Sequence, residues 1–317
     1  IVARRNAAYD AHRRPIVEVD APVVSVGNIS AGGTGKTPVV QHIVRLLQAS
    51  GHRPAVILRG YRRRSRGLLV VHNGERICTT PDAAGDEAYL HASVLDVPVV
   101  VCEDKVEAAA IAVGTLPCDV VVVDDGYQHR ALHRDCDIVL VDKATMRGAL
   151  IPKGRLREPL TNLSRAHVVL CMDGVAPEDV RPFVRADALV LTCTVEAGSV
   201  VSADRRATPI PAGTRVYAAA GIAQPERFVR SLEDKGYQVT GTMFFRDHHR
   251  YTKRDVDRLC AAATAHTSML VVTDKDAVKL LPLMNVSGTA VCPLHVLPIQ
   301  AHVEGTALAD LLESRIK

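Results

Sequence analysis

Tryptophan is absent from this chain, and aromatic residues make up only 3% of it. Valine, leucine, isoleucine and alanine must therefore fill its cores. No stretch reaches the ~18 apolar residues of a spanning helix. The eight cysteines (Cys78, Cys102, Cys118, Cys136, Cys171, Cys193, Cys260 and Cys292) form no CxxC pair, so the usual zinc spacings are missing. Several lie in apolar runs, which reads as reduced, mostly buried thiols of a cytosolic protein. There is no internal repeat and no low-complexity tract. Net charge is +4, too mild to argue for nucleic acid, and no nucleic-acid partner is expected.

What is present is ample apolar material. At 317 residues, 47% hydrophobic and 23% charged, the chain has length for two domains and is not disordered. Its basic residues cluster: Arg59, Arg62, Arg63, Arg64 and Arg66 in one stretch, Arg4, Arg5, Arg13 and Arg14 in another. The sequence opens at Ile1 without methionine, and the expectation is a preceding piece that could carry a short membrane-contacting helix.

Short β-branched runs recur at 22–27, 55–60, 97–102, 119–125, 137–142 and 166–171. Continuous apolar runs of this length suit strands buried on both faces of a parallel sheet. Helical patterns fall between several of them. Val39, Val40, Ile43, Val44 and Leu47 share one helical face, Pro38 fits the first turn, and Gly51 can end the helix. The polar segment 152–165 marks the end of a first domain, 1–165. Strand and helix signals then resume over 169–300 as a smaller α/β unit, including strands at 188–193, 214–221, 237–245 and 268–276. Residues 301–317 are expected to pack back on the first domain. The fold class is α/β, a P-loop NTPase-like domain with a mostly parallel sheet plus the smaller unit.

The loop between the first strand and first long helix reads Ser30, Ala31, Gly32, Gly33, Thr34, Gly35, Lys36, Thr37. Glycine tolerates positive φ, so the backbone N–H groups at Gly32, Gly33 and Gly35 can turn inward to an anion. The following helix presents its positive end to the same anion. Lys36 reaches the β/γ-phosphates and the Thr37 hydroxyl ligates Mg²⁺. Ser30 departs from the general motif, which opens with glycine. The run 119–129 is the natural partner: an apolar strand ending in Asp124 and Asp125, where carboxylates hold Mg²⁺ directly or through water. Its plainer reading is an Asp turn at a strand end.

With both motifs in place, the chain resembles the tetraacyldisaccharide 4′-kinases, which phosphorylate the lipid A precursor of Gram-negative bacteria. The resemblance is carried by segments 23–40, 58–67 ("LRGYRRRSRG"), 85–92 ("GDEAYLHA"), 121–130, 154–159 ("GRLREP"), 218–237, 244–251 ("FFRDHHRY") and 271–280. The family's loop is similar to Ser/Thr-x-Gly-Gly-x-Gly-Lys-Thr, so Ser30 is what it would have. The resemblance implies ATP and Mg²⁺ as cofactors. The reaction it implies passes the γ-phosphate to the 4′-hydroxyl of tetraacyldisaccharide 1-phosphate, in peripheral contact with the inner membrane at its cytoplasmic face. A monomer is expected.

Further roles come from the resemblance, residue by residue. Asp86 matches the candidate general base, and His248 its partner from the second domain, so the site would lie in an interdomain cleft. Glu87 would support the metal shell. Arg157 and Glu158 look like groups near the phosphates or metal. Tyr61 would bind the acceptor, and Lys105, standing where arginine is usual, a phosphate. Residue by residue, duller readings stand beside these. Asp86 is a helix cap, His248 a surface histidine, Arg157 and Glu158 a solvated ion pair, and Tyr61 ordinary packing. The Arg59–Arg66 cluster is either a membrane or 1-phosphate contact or a solvated loop. Beside the lipid kinase, a P-loop kinase for a soluble acceptor and a nucleotide-operated switch remain as alternatives.

Overall fold

The computed structural model describes residues 2–204, 209–285 and 292–316, with the side chain of Asn285 also left aside. The chain forms two compact units, residues 1–195 with 301–317, and residues 196–300.

The first unit is built on a nine-stranded sheet. Its strands are β1 (Val23–Asn28), β2 (Pro54–Leu58), β3 (Leu69–His72), β4 (Val99–Val101), β5 (Val120–Asp124), β6 (Cys136–Val141), β7 (Val168–Cys171), β8 (Leu189–Ala197) and β14 (Ile299–Val303). The spatial order is β14-β8-β7-β6-β1-β5-β2-β4-β3. Strands β8 to β4 in that order pair in parallel, and β3 is antiparallel to β4. Every residue of β1, β2, β4, β5, β6 and β7 is buried, as expected when helices cover both faces of a parallel sheet. On one face, Val24 and Val26 of β1 pack with Val39, Val40, Ile43, Val44 and Leu47 of helix α2 (Lys36–Ala49). On the other, Val23 packs with Ala108, Ala109 and Ala112 of α5 (Lys105–Thr115), whose small side chains let it lie close to the sheet. Helix α1 (Val2–Asp10) precedes the sheet, and the short α3 (Pro81–Ala84) leads into α4 (Asp86–Val94).

The domain boundary differs from the one expected near 165. The run at 188–193 is β8, which pairs with β7 as Val168↔Leu189 through Cys171↔Thr192. The polar stretch 152–165 is an excursion within the first unit, because the strands after it find their partners in the same sheet. The final helix, Ala307–Arg315, buries Leu308 and Leu312 in the cluster that also holds α2.

The second unit has a five-stranded sheet of β9 (Val201–Ser202), β10 (Arg215–Ala220), β11 (Gln238–Phe244), β12 (Met269–Thr273) and β13 (Leu294–Leu297), ordered β11-β10-β12-β13-β9. All pairs are parallel except β13–β9. The helix Lys253–Ala265 begins with a capping box between Thr252 and Asp255, which satisfies two otherwise orphaned amide donors.

Candidate active site

Strands β1 and β5 are parallel neighbours, with Val26 opposite Asp124. Whatever follows their C-terminal ends must emerge at the same edge of the sheet. That register brings the loop 29–35 beside Asp124 and Asp125, 89 or more residues later in the chain.

The loop is held from within. Asn28, fully buried at the end of β1, donates from Nδ2 to Thr34 Oγ1 (2.8 Å) and Ser30 Oγ (3.4 Å). Ser30 Oγ also accepts from Thr145 Oγ1 at 3.0 Å. A serine at position 30 therefore supplies a tie that a glycine could not. Gly32 and Gly35 have φ of 118° and 77°, the left-handed side that favours glycine. Gly33, expected to share that role, has no positive φ, and a Cβ built there meets nothing within 4 Å. Gly35 is the left-handed N-cap of α2, and Lys36 and Thr37 open the helix.

Asp125 is the electrostatic centre. Its Oδ1 lies 3.4 Å from Lys36 Nζ, and its Oδ2 accepts from Arg157 Nη1 at 2.9 Å. Burial raises its pKa, but Lys36, Arg157 and Lys105 outweigh that and hold the carboxyl at about 2. Asp125 has φ 53°, a costly conformation outside glycine. Asp124 sits deeper, with Oδ2 3.3 Å from Nε2 of the fully buried His91. Burial raises its pKa too; the hydrogen bond and charge of His91, with Lys36, bring the net shift downward.

Several residues beyond the expected set complete this corner. His91 lies on α4, the helix whose first turn carries Asp86 and Glu87. Gln128 links both motifs: Nε2 donates to the Asn28 carbonyl (2.7 Å) while Oε1 accepts from Arg157 (3.3 Å). Tyr127 is fully buried and bonds from its hydroxyl to the Asn162 carbonyl. A Cβ on Gly27 would come within 2.7 Å of Tyr127 Cβ, so β1 passes too close for any side chain there. The signal for Gln128 and Tyr127 was proximity to Asp125 in sequence. His91 had no signal beyond its helical segment.

Two expected roles are revised. Lys105 is buried (5% exposed) and donates from Nζ to the carbonyls of Asp124 (2.8 Å) and Asp125 (2.5 Å). It braces the end of β5 from beneath instead of meeting a substrate phosphate. Burial lowers its pKa to about 8 against the pull of Asp125 and Asp124. Glu158 is fully buried and its Oε2 accepts from Asn6 (2.9 Å), Asn162 (2.6 Å) and Arg165 (2.8 Å). Arg157 meets Asp125, while Glu158 ties α1 to the segment 158–165. Burial raises the Glu158 pKa, but Arg165, Asn162 and Asn6 reverse the sign.

The oxygen donors suit magnesium, which binds through one or two carboxylates with phosphates and water. Asp125 Oδ1 is buried and accepts no hydrogen bond, Asp124 stands beside it, and the Thr37 hydroxyl opens the adjoining helix. Among the described residues no cluster of three or more His, Cys, Asp or Glu forms a protein-only metal cage. Tyr61 is 64% exposed, with the Arg62 guanidinium 5.4 Å from its ring centre.

In the second unit, His248 has φ 59° and its amide donates to the Gly221 carbonyl (3.2 Å). The Gly221 amide in turn donates to Oδ2 of fully buried Asp276 (2.9 Å). Asp276, in the segment "TDKDA", thus fixes the turn that carries His248. A Cβ at Gly221 would stand 3.0 Å from Tyr251 Oη and 3.1 Å from Asp276 Oδ1.

A glycine-rich loop between β1 and α2, lysine and threonine at its end, and paired aspartates on the neighbouring parallel strand define a P-loop phosphotransferase. The family described as Tetraacyldisaccharide-1-P 4′-kinase matches residues 1–317. A tetraacyldisaccharide 4′-kinase of Anaeromyxobacter sp. is 39% identical over 299 residues, 88% of this chain and 79% of that one. One from Chlorobium phaeobacteroides is 35% identical over 298 residues, covering 89% and 83%. Among solved structures, LpxK from Aquifex aeolicus in complex with ATP aligns over 100% of this chain and 95% of its own, with TM-score 0.81 and 28% identity. The chain belongs to the tetraacyldisaccharide 4′-kinase family, and it is a kinase.

Proposed function

We propose that this protein transfers the γ-phosphate of ATP to the 4′-hydroxyl of tetraacyldisaccharide 1-phosphate, as a peripheral monomer at the cytoplasmic face of the inner membrane. The observation that carries the reading is the arrangement of Lys36, Asp125 and Arg157 at the loop mouth. Two cations stand on one carboxylate where a triphosphate and its metal belong. In phosphoryl transfer the protein contributes mainly position and charge.

Loop amides and Lys36 bind the phosphates. Thr37, Asp124 and Asp125 would hold Mg²⁺, with Glu87 in support from the first turn of α4. Bound Mg²⁺ supplies neutralisation of phosphate charge. Arg157, anchored by Asp125 and Gln128, would face the phosphates from the segment 154–159. Asp86, assisted by His248, takes the proton of the 4′-hydroxyl as its oxygen attacks phosphorus and ADP leaves. Tyr61 lines the acceptor position.

No helix among the described residues is long and apolar enough to cross a membrane. A surface attachment is supported instead by exposed Arg59, Arg62 and Arg66, each worth ~1 kcal/mol near anionic headgroups. Tyr61, Leu150 and Ile151 are exposed apolar groups of the same unit. Arg63 does not contribute: its side chain is 2% exposed and paired with Glu103 at 2.8 Å. Raising salt should release the protein from anionic vesicles.

The test is incubation with MgATP and tetraacyldisaccharide 1-phosphate in detergent micelles, read by mass spectrometry, beside Lys36→Ala. A bisphosphorylated lipid with the native protein, and its large loss in the variant, supports the reading. ATP binding without phosphorylated lipid overturns the acceptor and points to soluble sugars.

A further inference from the structure

The family resemblance and the charge cluster leave one cation at the loop unexplained. Arg155 lies across the phosphate loop. Its carbonyl accepts from the Ala31 amide (2.7 Å), and its Nε donates back to the Ala31 carbonyl (2.8 Å). These two bonds set the side chain against Gly32. A Cβ built on Gly32 would stand 1.6 Å from Arg155 Nη2 and 2.7 Å from Cζ. The guanidinium therefore occupies the place any other residue's side chain would fill. The φ of 118° is what favours glycine at position 32.

The other cations of the site are committed. Lys36 and Arg157 face Asp125, and Lys105 is buried under the β5 carbonyls. Arg155 faces no carboxylate among the described residues, and Ala31 uses only its Nε–H. Two terminal nitrogens with four N–H donors remain at the exposed rim of the loop. Arginine's planar fork matches phosphate oxygens in pairs. Its anchoring to the loop backbone means little side-chain freedom is left to lose on binding.

We propose that Arg155 is a phosphate-binding residue, fixed in cis on the rim of the loop, that donates to the polyphosphate of the bound nucleotide. This rests on the reading of the loop as the ATP site. Because it contacts the loop and not α4 or the acceptor residues, its effect falls on nucleotide affinity more than on turnover at saturating ATP.

The experiment measures binding of ATP, ADP and adenosine to the full chain by calorimetry, for the native protein, Arg155→Ala, Arg155→Gln and Arg155→Lys. Thermal melting without nucleotide runs alongside. Loss of a charged hydrogen-bond pair corresponds to about tenfold to hundredfold in affinity. Arg155→Ala and Arg155→Gln should weaken ATP and ADP by that much and leave adenosine binding and melting unchanged. Arg155→Lys should recover part of the loss, since it keeps the charge while losing the Nε–H bond to Ala31. If Arg155 only tied down Ala31, lysine would be as defective as alanine, and that result overturns the proposal. Unchanged ATP affinity in Arg155→Ala overturns it too. So does tighter binding, which would make the guanidinium a competitor for the cradle. Failure of the native protein to bind either nucleotide would instead remove the ATP-site reading itself.

Discussion

Oδ1 of Asp125 stands 3.4 Å from Nζ of Lys36, so the last residue of one motif neutralises the central cation of the other. The same carboxylate accepts from Arg157 at 2.9 Å. This pairing has a pH signature. The folded-state pKa of Asp125 is about 2, below the ordinary 3.8. Its stabilising contribution is fully present above the ordinary value and is lost as pH falls through about 2. Asp125→Asn should melt lower than the native protein at neutral pH, and the gap should close between about pH 4 and 2. A gap that stays constant over that range would contradict the assigned ion pairs.

His91 holds Asp124 at 3.3 Å from a site with no solvent exposure. Partners that orient metal-binding carboxylates are typically worth 10–100-fold in metal affinity, and His91→Phe should shift the Mg²⁺ concentration for half-maximal activity upward by about that factor. The phenyl ring keeps most of the volume but leaves the buried Asp124 carboxylate short of a partner, so melting should also fall, by about 1–3 kcal/mol of stability. An unchanged Mg²⁺ titration would separate His91 from the metal site.

Asn28 carries the loop through its bonds to Thr34 and Ser30. Removing both costs about 1–3 kcal/mol, and Asn28→Ala should raise KM for ATP with a smaller change in kcat. Steady-state kinetics at saturating lipid decide it; an unaltered KM would mean the loop keeps its shape without this tie.

Lys105→Met separates bracing from substrate binding. The variant leaves the carbonyls of Asp124 and Asp125 without their donor, each exposed to a penalty of about 1–3 kcal/mol. Melting temperature and kcat should both fall while the KM for the lipid acceptor stays put. A selective rise in acceptor KM would restore the phosphate role expected for this residue.

Asp86 and Glu87 occupy the first turn of α4, where a carboxylate is also stabilised by the helix dipole. If Asp86 is the base, Asp86→Ala should lower kcat by about 10²–10⁴ with ATP affinity unchanged. Near-normal turnover would leave it a helix-terminal charge and nothing more.

Much of this site was legible in order along the chain. The spacing of Val39, Val40, Ile43, Val44 and Leu47 identified α2, and all five are buried on its sheet-facing side. Asp124 and Asp125 could be placed at a strand end because β-branched runs punctuated by turn residues have few alternatives. Strands β9 and β14 escaped detection because each lies at a sheet edge, is only partly buried and carries no continuous apolar run like those that marked β2, β4, β5 and β7. The boundary near 165 misled for a related reason. A polar excursion looks like a linker until the partners of the next strands are known.

By itself the sequence determined the phosphate loop, its lysine and hydroxyl, and the carboxylate pair, because local backbone geometry demands those residue types in that spacing. Only tertiary structure decided what each neighbouring side chain does. The register of β5 against β1 placed Asp125 on Lys36. The bend at 157–158 sent Arg157 to the site and Glu158 into the buried network with Asn6, 152 residues away. Burial turned Lys105 from a surface cation into a brace. Side-chain direction and depth depend on contacts between residues distant in the chain, and no local pattern encodes them.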